Sequence, residues 1–158
     1  MRVLIVEDDH DIRENLARYL RGKGYAVDTA ADGLIGLHRA CDFQIDIAVI
    51  DCGLPDLTGI DLVTKIRSLN LQYPILVMTS YDNWGERTGF IEAGADGYIE
   101  KAFRPQLMLD KIEALLRNFG LMNPLPHNGL GKLKSGRKSV AVDFDVASLS
   151  GEARNPPS

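Results

Sequence analysis

Five residues of this 158-residue chain have the types and spacing to do chemistry together: Glu7, Asp8, Asp51, Thr79 and Lys101. Each stands at the carboxyl end of a short apolar run. Glu7 and Asp8 follow Val3 to Val6, Asp51 follows Ile47 to Ile50, Thr79 closes Ile75 to Thr79, and Lys101 follows Gly97 to Glu100. In open α/β sheets, chemistry gathers outside the carboxyl ends of the strands. Three carboxylates meeting there repel and raise one another's pKa values unless a cation neutralises them. Hard carboxylate oxygens suit Mg²⁺ or Mn²⁺. An aspartate is a known nucleophile toward phosphorus, and a hydroxyl with an ammonium beside it makes an oxyanion-binding set. Together these groups supply what in-line phosphoryl transfer requires. Singly each has a bland reading: Glu7, Asp8 and Asp9 cap a helix, Thr79 is a strand residue, Lys101 is a surface charge. Agreement of four strand ends argues for the chemical reading.

The elements that must position these groups alternate regularly. Strands are expected at Arg2 to Val6, Tyr25 to Thr29, Ile47 to Asp51, Ile75 to Thr79 and Gly97 to Glu100. Between and after them come helices from about His10 to Arg21, from Asp32 as cap onward, from Thr58 as cap onward, from Trp84 to Ala93, and from Pro105 to Asn118. The first helix carries Ile12, Leu16, Tyr19 and Leu20 on one face, the third Leu62, Val63, Ile66 and Leu69, and the fifth Met108, Ile112, Leu115 and Leu116. The second, with Leu34, Ile35 and Leu37 around Gly36, and the fourth, with Gly85 and Gly89, are poorer helix formers. Alternation of this kind implies an α/β fold with right-handed crossovers, a parallel sheet, and helices on both faces. The flavodoxin-like, doubly wound order 2-1-3-4-5 is one of two common solutions.

Composition narrows the class further. A net charge of −4 and ordinary globular proportions give no global basic field for nucleic acid. Val3 to Val6 is too short for a signal peptide, and no apolar run approaches the roughly 20 residues of a membrane span, so a cytoplasmic protein is expected. Cys41 and Cys52 form no metal or disulfide framework. No glycine-rich phosphate loop follows the first strand, which argues against nucleotide binding.

Residues 1–118 therefore read as one domain and 119–138 as a linker, rich in glycine and proline and locally basic at Lys132, Lys134, Arg137 and Lys138. In 139–158 the alternation of Val140, Val142, Phe144 and Val146 suggests one strand with a single buried face.

These motifs resemble the receiver domain of two-component response regulators. The matching pieces are Val3 to Asp9, Asp51 with Leu54-Pro55 and Gly59, Met78-Thr79-Ser80, Gly94 to Tyr98, and Lys101-Ala102-Phe103. The resemblance implies that Asp51 is the phosphoacceptor for a histidine kinase, and that the domain is a switch rather than a turnover enzyme. It also implies Mg²⁺ held by Asp8, Asp51 and the Gly53 carbonyl, with Glu7 acting through water. Thr79 would move to bond the phosphoryl group, Lys101 would pair with it, and Tyr98 would turn inward as the readout. The 140–145 segment is similar to the opening strand of the winged-helix effector of OmpR/PhoB-type transcriptional regulators, which implies DNA binding through a domain not contained in this chain. Dimers of such regulators commonly form through the fourth helix, fifth strand and fifth helix, here carrying Glu92, Asp96, Lys111 and Arg117. The other readings are a stand-alone receiver acting as an interaction adaptor and, with little weight, an aspartyl-nucleophile phosphatase. Gly53 stands where that phosphatase needs a second Asp. One departure concerns Lys101: Ala102 follows where the family has proline, often after a cis bond. A cis bond before a non-proline residue costs roughly 3 kcal/mol, so a trans loop with a differently seated Lys101 is expected.

Overall fold

The computed structural model describes residues 1–42, 44–80 and 85–122. The strand expected at 140–146 and most of the linker lie outside the described residues, as does Trp84, the expected start of the fourth helix. The order is β1 (Arg2–Val6), α1 (His10–Gly22), β2 (Ala26–Ala30), α2 (Gly33–Asp42), β3 (Ile47–Asp51), α3 (Gly59–Ser68), β4 (Ile75–Thr79), α4 (Arg87–Ala93), β5 (Gly97–Glu100) and α5 (Pro105–Asn118). All strand pairs are parallel, in the order β2-β1-β3-β4-β5. The doubly wound expectation is borne out.

Strand alternation divides the interior into two cores. Ala48 and Ile50 of β3 face a cluster closed by Leu62, Val63 and Ile66 of α3 and Phe90 and Ile91 of α4. Ile47 and Val49 face the other cluster, closed by Leu16, Ala17 and Leu20 of α1 and by Met108, Ile112, Leu115 and Leu116 of α5. The four α5 residues are fully buried, and such side chains contribute about 1.5–3 kcal/mol each. Two residues of the expected helix stripes lie outside the core. Ile12 is on the rim of α1, 36% exposed, and Ala17 takes its place in the core. Leu69 is 51% exposed, because α3 ends at Ser68 and Leu69 is its C-cap. Leu34 and Ile35 of α2 point outward. The inward face of α2 is small: a Cβ on Gly36 would come within 2.9 Å of the Val6 side chain. Gly36 is thus a packing glycine, which explains why this helix looked weak by propensity.

Caps fix where the helices begin. Asp9 accepts from Ile12 N–H, Asp32 from Ile35 N–H and Thr58 from Asp61 N–H, each at the expected end. A second cap on α2 comes from far away in the chain. Asp56, in the loop after β3, accepts the Gly33 and Leu34 N–H groups at 2.7 and 2.9 Å. Burial would raise its carboxyl, but these bonds, with a third from Leu57 N–H, together outweigh it and hold the carboxyl below its ordinary value. The loop carrying the candidate nucleophile is thereby tied to α2. β2 begins one residue later than expected because the Tyr25 N–H still bonds back to the Leu20 carbonyl at the end of α1. α4 starts at Arg87, after a short 3₁₀ turn at residues 85–86.

Candidate phosphoacceptor site

Register brings the site together. Val6 is paired with Ile50, so Glu7 leaves β1 beside Asp51 at the end of β3. Asp51 is paired with Met78, and Thr79 with Glu100, so Thr79 and Lys101 emerge next along the same edge. The last ladder bonds run from Cys52 N–H to the Met78 carbonyl and from Lys101 N–H to the Thr79 carbonyl. Arg13 of α1 reaches back to donate to the Glu7 carbonyl at 2.9 Å, bracing the turn that presents Glu7 and Asp8. Sequence reasoning missed Arg13, whose only signal was its place one turn after the Asp9 cap.

The Lys101 ammonium bridges two carboxylates, 2.9 Å from Glu7 Oε1 and 3.1 Å from Asp51 Oδ1. Glu7 and Asp51 are almost wholly buried, at 0% and 3% exposure, and Asp8 is exposed. One ligand oxygen from each of Glu7, Asp8 and Asp51 lies within 4.8 Å of the others. Burial is the main cause that pushes the Asp51 carboxyl above its ordinary value. The Lys101 charge and the Gly53 N–H oppose it, and the Asp8 charge adds to it. Glu7 is raised likewise, by burial first, against the Asp9 N–H and Lys101. Mutual repulsion, the cause expected from sequence, adds to this but is secondary to burial. For Lys101, burial alone would lower the pKa, but its bond to Glu7 and the charge of Asp51 outweigh that and raise it. The lysine stays an ammonium.

These observations also test the fit of a cation. Two buried carboxylates held above their usual pKa, with a third at the solvent edge and a single balancing ammonium, form a donor set of hard oxygens. This suits Mg²⁺, which takes one or two carboxylates and keeps waters. A Cβ on Gly53 would meet nothing within 4 Å, so the approach beside Asp51 is open.

Lys101 is seated by a different backbone route from the family pattern. No cis peptide bond occurs among the described residues, and Ala102 has φ 74°, in the left-handed region. The trans loop expected from Ala102 is found, and Lys101 still reaches both carboxylates.

Thr79 is fully buried, and its hydroxyl donates to the Ser80 carbonyl at 3.2 Å. Tyr98 is 3% exposed and belongs to the core cluster of Phe90 and Ile91, so its ring is already inward and the expected inward turn is complete in this conformation. Cys52 is buried beside Thr79 and Ser80. Burial pushes its thiol up despite their hydrogen bonds, which leaves it a protonated core residue. Asp96, expected on the outer face of β5, is instead fully buried. It is 2.8 Å from Arg67 Nη2 and accepts the Ile75 N–H at 2.9 Å. It is committed within the chain and is removed from the set of residues that could pair across a twofold axis.

Gly59 explains itself only in three dimensions. A Cβ there would lie 2.6 Å from Cys52 Cα and 2.8 Å from the Asp51 carbonyl oxygen. The start of α3 rests on the backbone of the Asp51 loop, and the Gly59 N–H bonds the Cys52 carbonyl at 3.0 Å. Gly59→Ala is expected to lower stability by about 1–3 kcal/mol as that loop is forced aside. Thermal melts would show it, and an unchanged Tm would mean the contact is looser than described.

An open parallel sheet with an acidic pocket, a hydroxyl and an ammonium on successive strand ends defines a receiver-type domain. Sequence comparison agrees: the profile of the response regulator receiver domain matches residues 3–113. The chain belongs to that family. It is 34% identical over 150 residues to the two-component response regulator PhoP of Pseudomonas aeruginosa, covering 94% of this chain and 67% of that protein. It is 39% identical over 117 residues to the response regulator MprA of Mycobacterium avium, covering 74% of this chain and 51% of that protein. A relative from Salmonella typhimurium, 32% identical, is named a virulence transcriptional regulatory protein, in keeping with the OmpR/PhoB-type resemblance. Among solved structures, a CheY-like receiver domain of Methanospirillum hungatei superposes with TM-score 0.70 at 33% identity, covering 73% of this chain and 93% of that one. The chemotaxis regulator CheY4 of Vibrio cholerae gives 0.68 at 32%, covering 73% and 98%. No helix among the described residues is long and apolar enough to cross a membrane.

Proposed function

We propose that this chain is the receiver part of a cytoplasmic transcriptional response regulator, in which Asp51 accepts a phosphoryl group from a sensor histidine kinase. The observation that carries this is the Lys101 ammonium bridging Glu7 and Asp51, with Asp8 in metal-ligand range. Asp8, Asp51 and the Gly53 carbonyl would hold Mg²⁺, with Glu7 in support through water. The ion supplies charge neutralisation for the phosphoryl oxygens. Lys101 fixes one Asp51 oxygen and leaves the other to form the bond to phosphorus as the bond to the kinase histidine breaks. Thr79 and Lys101 then bond the phosphoryl oxygens, and the movement of Thr79 away from the Ser80 carbonyl is read by Tyr98 and α4. The domain is a switch that catalyses only its own phosphotransfer and dephosphorylation.

The output is a homodimer through α4, β5 and α5 that controls a DNA-binding effector. This is favoured over a stand-alone adaptor because the match to PhoP runs over 150 residues, well past the receiver boundary. Incubation with Mg²⁺ and acetyl phosphate is expected to add one phosphoryl group to the wild type and none to Asp51→Ala, as read by intact mass. Equal labelling of both, or of neither, contradicts the assignment. Light scattering of the labelled wild type should show dimer, and a persistent monomer removes the twofold output.

A further inference from the structure

Two residues other than glycine among those described have positive φ, Asn70 at 64° and Ala102 at 74°. Asparagine tolerates this region because its short polar side chain bonds locally, and alanine has no such compensation. Ala102 is exposed, so no packing of its methyl group explains the conformation. The explanation lies on either side of it. Lys101 is pinned by its N–H to the Thr79 carbonyl, and its ammonium is drawn to Glu7 and Asp51. Phe103 packs against the opposite core, beneath α5, and Arg104 begins that helix in extended conformation. One residue must reverse the chain between a side chain aimed at the strand ends and a side chain aimed under α5. A left-handed residue does so.

We propose that Ala102 is a positioning residue: its left-handed backbone aims Lys101 at the two buried carboxylates, replacing the proline turn of the family pattern. This rests on the reading of Lys101 given under the proposed function and adds what holds it in place. Backbone of this kind is open to glycine, strained for β-branched residues and closed to proline, whose φ is fixed near −65°. Proline is therefore not a restoring substitution here.

The test measures the second-order rate of phosphorylation by acetyl phosphate at saturating Mg²⁺, with Mg²⁺ affinity measured separately. Ala102→Val is expected to lower the rate on the order of 10- to 100-fold, less than the roughly 100- to 1000-fold lost when an oxyanion donor is removed outright. Mg²⁺ affinity should change less than about threefold, because Asp8 and Asp51 are untouched. Ala102→Gly should restore the rate. In a Lys101→Ala background, Ala102→Val should have no further effect, since both act through the same ammonium. A melt of each variant confirms that it is folded. An unchanged rate in a folded Ala102→Val, or an undiminished effect in the Lys101→Ala background, overturns the inference. If Ala102→Val fails to fold, a rate in folded Ala102→Thr equal to wild type overturns it instead. Wild-type labelling in Lys101→Ala alone would overturn the role of Lys101 itself, and the inference with it.

Discussion

Asp96→Ala will be among the most destabilising single substitutions in this domain, costing about 3–5 kcal/mol. That is the usual consequence of removing one partner from a buried ion pair. The Asp96 carboxylate is fully buried. It holds Arg67 at 2.8 Å and the first N–H of β4, from Ile75, at 2.9 Å. Arg67 in turn donates to the carbonyls of Gly94 and Leu71, so one guanidinium ties α3 to the turns before β4 and β5. Alanine removes the 2.8 Å counter-charge from that guanidinium and strands a buried N–H, each penalised on its own. Against a typical total stability of about 5–15 kcal/mol, the loss is a large fraction. A drop in Tm of roughly 10–20 °C is expected. Asp96→Asn keeps an acceptor for Ile75 and should lose less. A Tm within a few degrees of wild type for Asp96→Ala would show that the lock carries little energy.

Asp51→Asn should move stability the other way, raising Tm in the absence of divalent cations. Asp51 is buried and its folded pKa lies above the ordinary 3.8, so its ionisation favours the unfolded chain. The sign follows from linkage. The wild type and the neutral isostere should be alike well below pH 3.8, where the carboxyl is protonated in both states. A gap opens as pH rises past that unfolded value and stays constant once pH is above the folded pKa. At neutral pH it should reach about 1–2 kcal/mol in favour of asparagine, within the range found on neutralising buried ionic sites. Mg²⁺ should erase the difference by stabilising only the wild type, by about 2.7 kcal/mol at a hundredfold excess over its Kd. Paired melts across pH, with Mg²⁺ or with chelator, measure this. A less stable Asp51→Asn in chelator would mean that Lys101 more than compensates the buried carboxylate.

Both predictions come from residues whose roles differed in legibility. Asp51, Glu7, Asp8, Thr79 and Lys101 could be picked out because strand ends are visible as apolar runs, and parallel alternation forces those ends to one edge. Cap residues Asp9, Asp32 and Thr58 were legible because a cap acts within three residues of itself. Contacts made across the fold were not. Asp96 read as a surface charge of β5, since nothing local announces that Arg67, 29 residues away, closes over it. Asp56 read as loop, because the helix that it caps is 23 residues upstream. Gly36 read as a helix defect, because the Val6 side chain that excludes a Cβ belongs to another element. Leu34 and Ile35 are exposed, and sequence set no inner face for this short helix because a glycine stands on its true inner side. At Ala102 the expectation of a trans loop held. The left-handed turn that compensates for the missing proline was beyond sequence, since alanine is among the residues least expected there.

Asp51, and no other carboxylate of the cluster, is expected to form the bond to phosphorus. The most direct measurement is borohydride reduction of the Mg²⁺- and acetyl phosphate-treated chain, followed by peptide mass spectrometry, since reduction of an aspartyl phosphate leaves homoserine at the modified position. Homoserine at position 51 alone, absent from samples treated with chelator, is the predicted result. Homoserine at position 8, reduction at both positions, or no reduction in a sample that carries phosphate would contradict it.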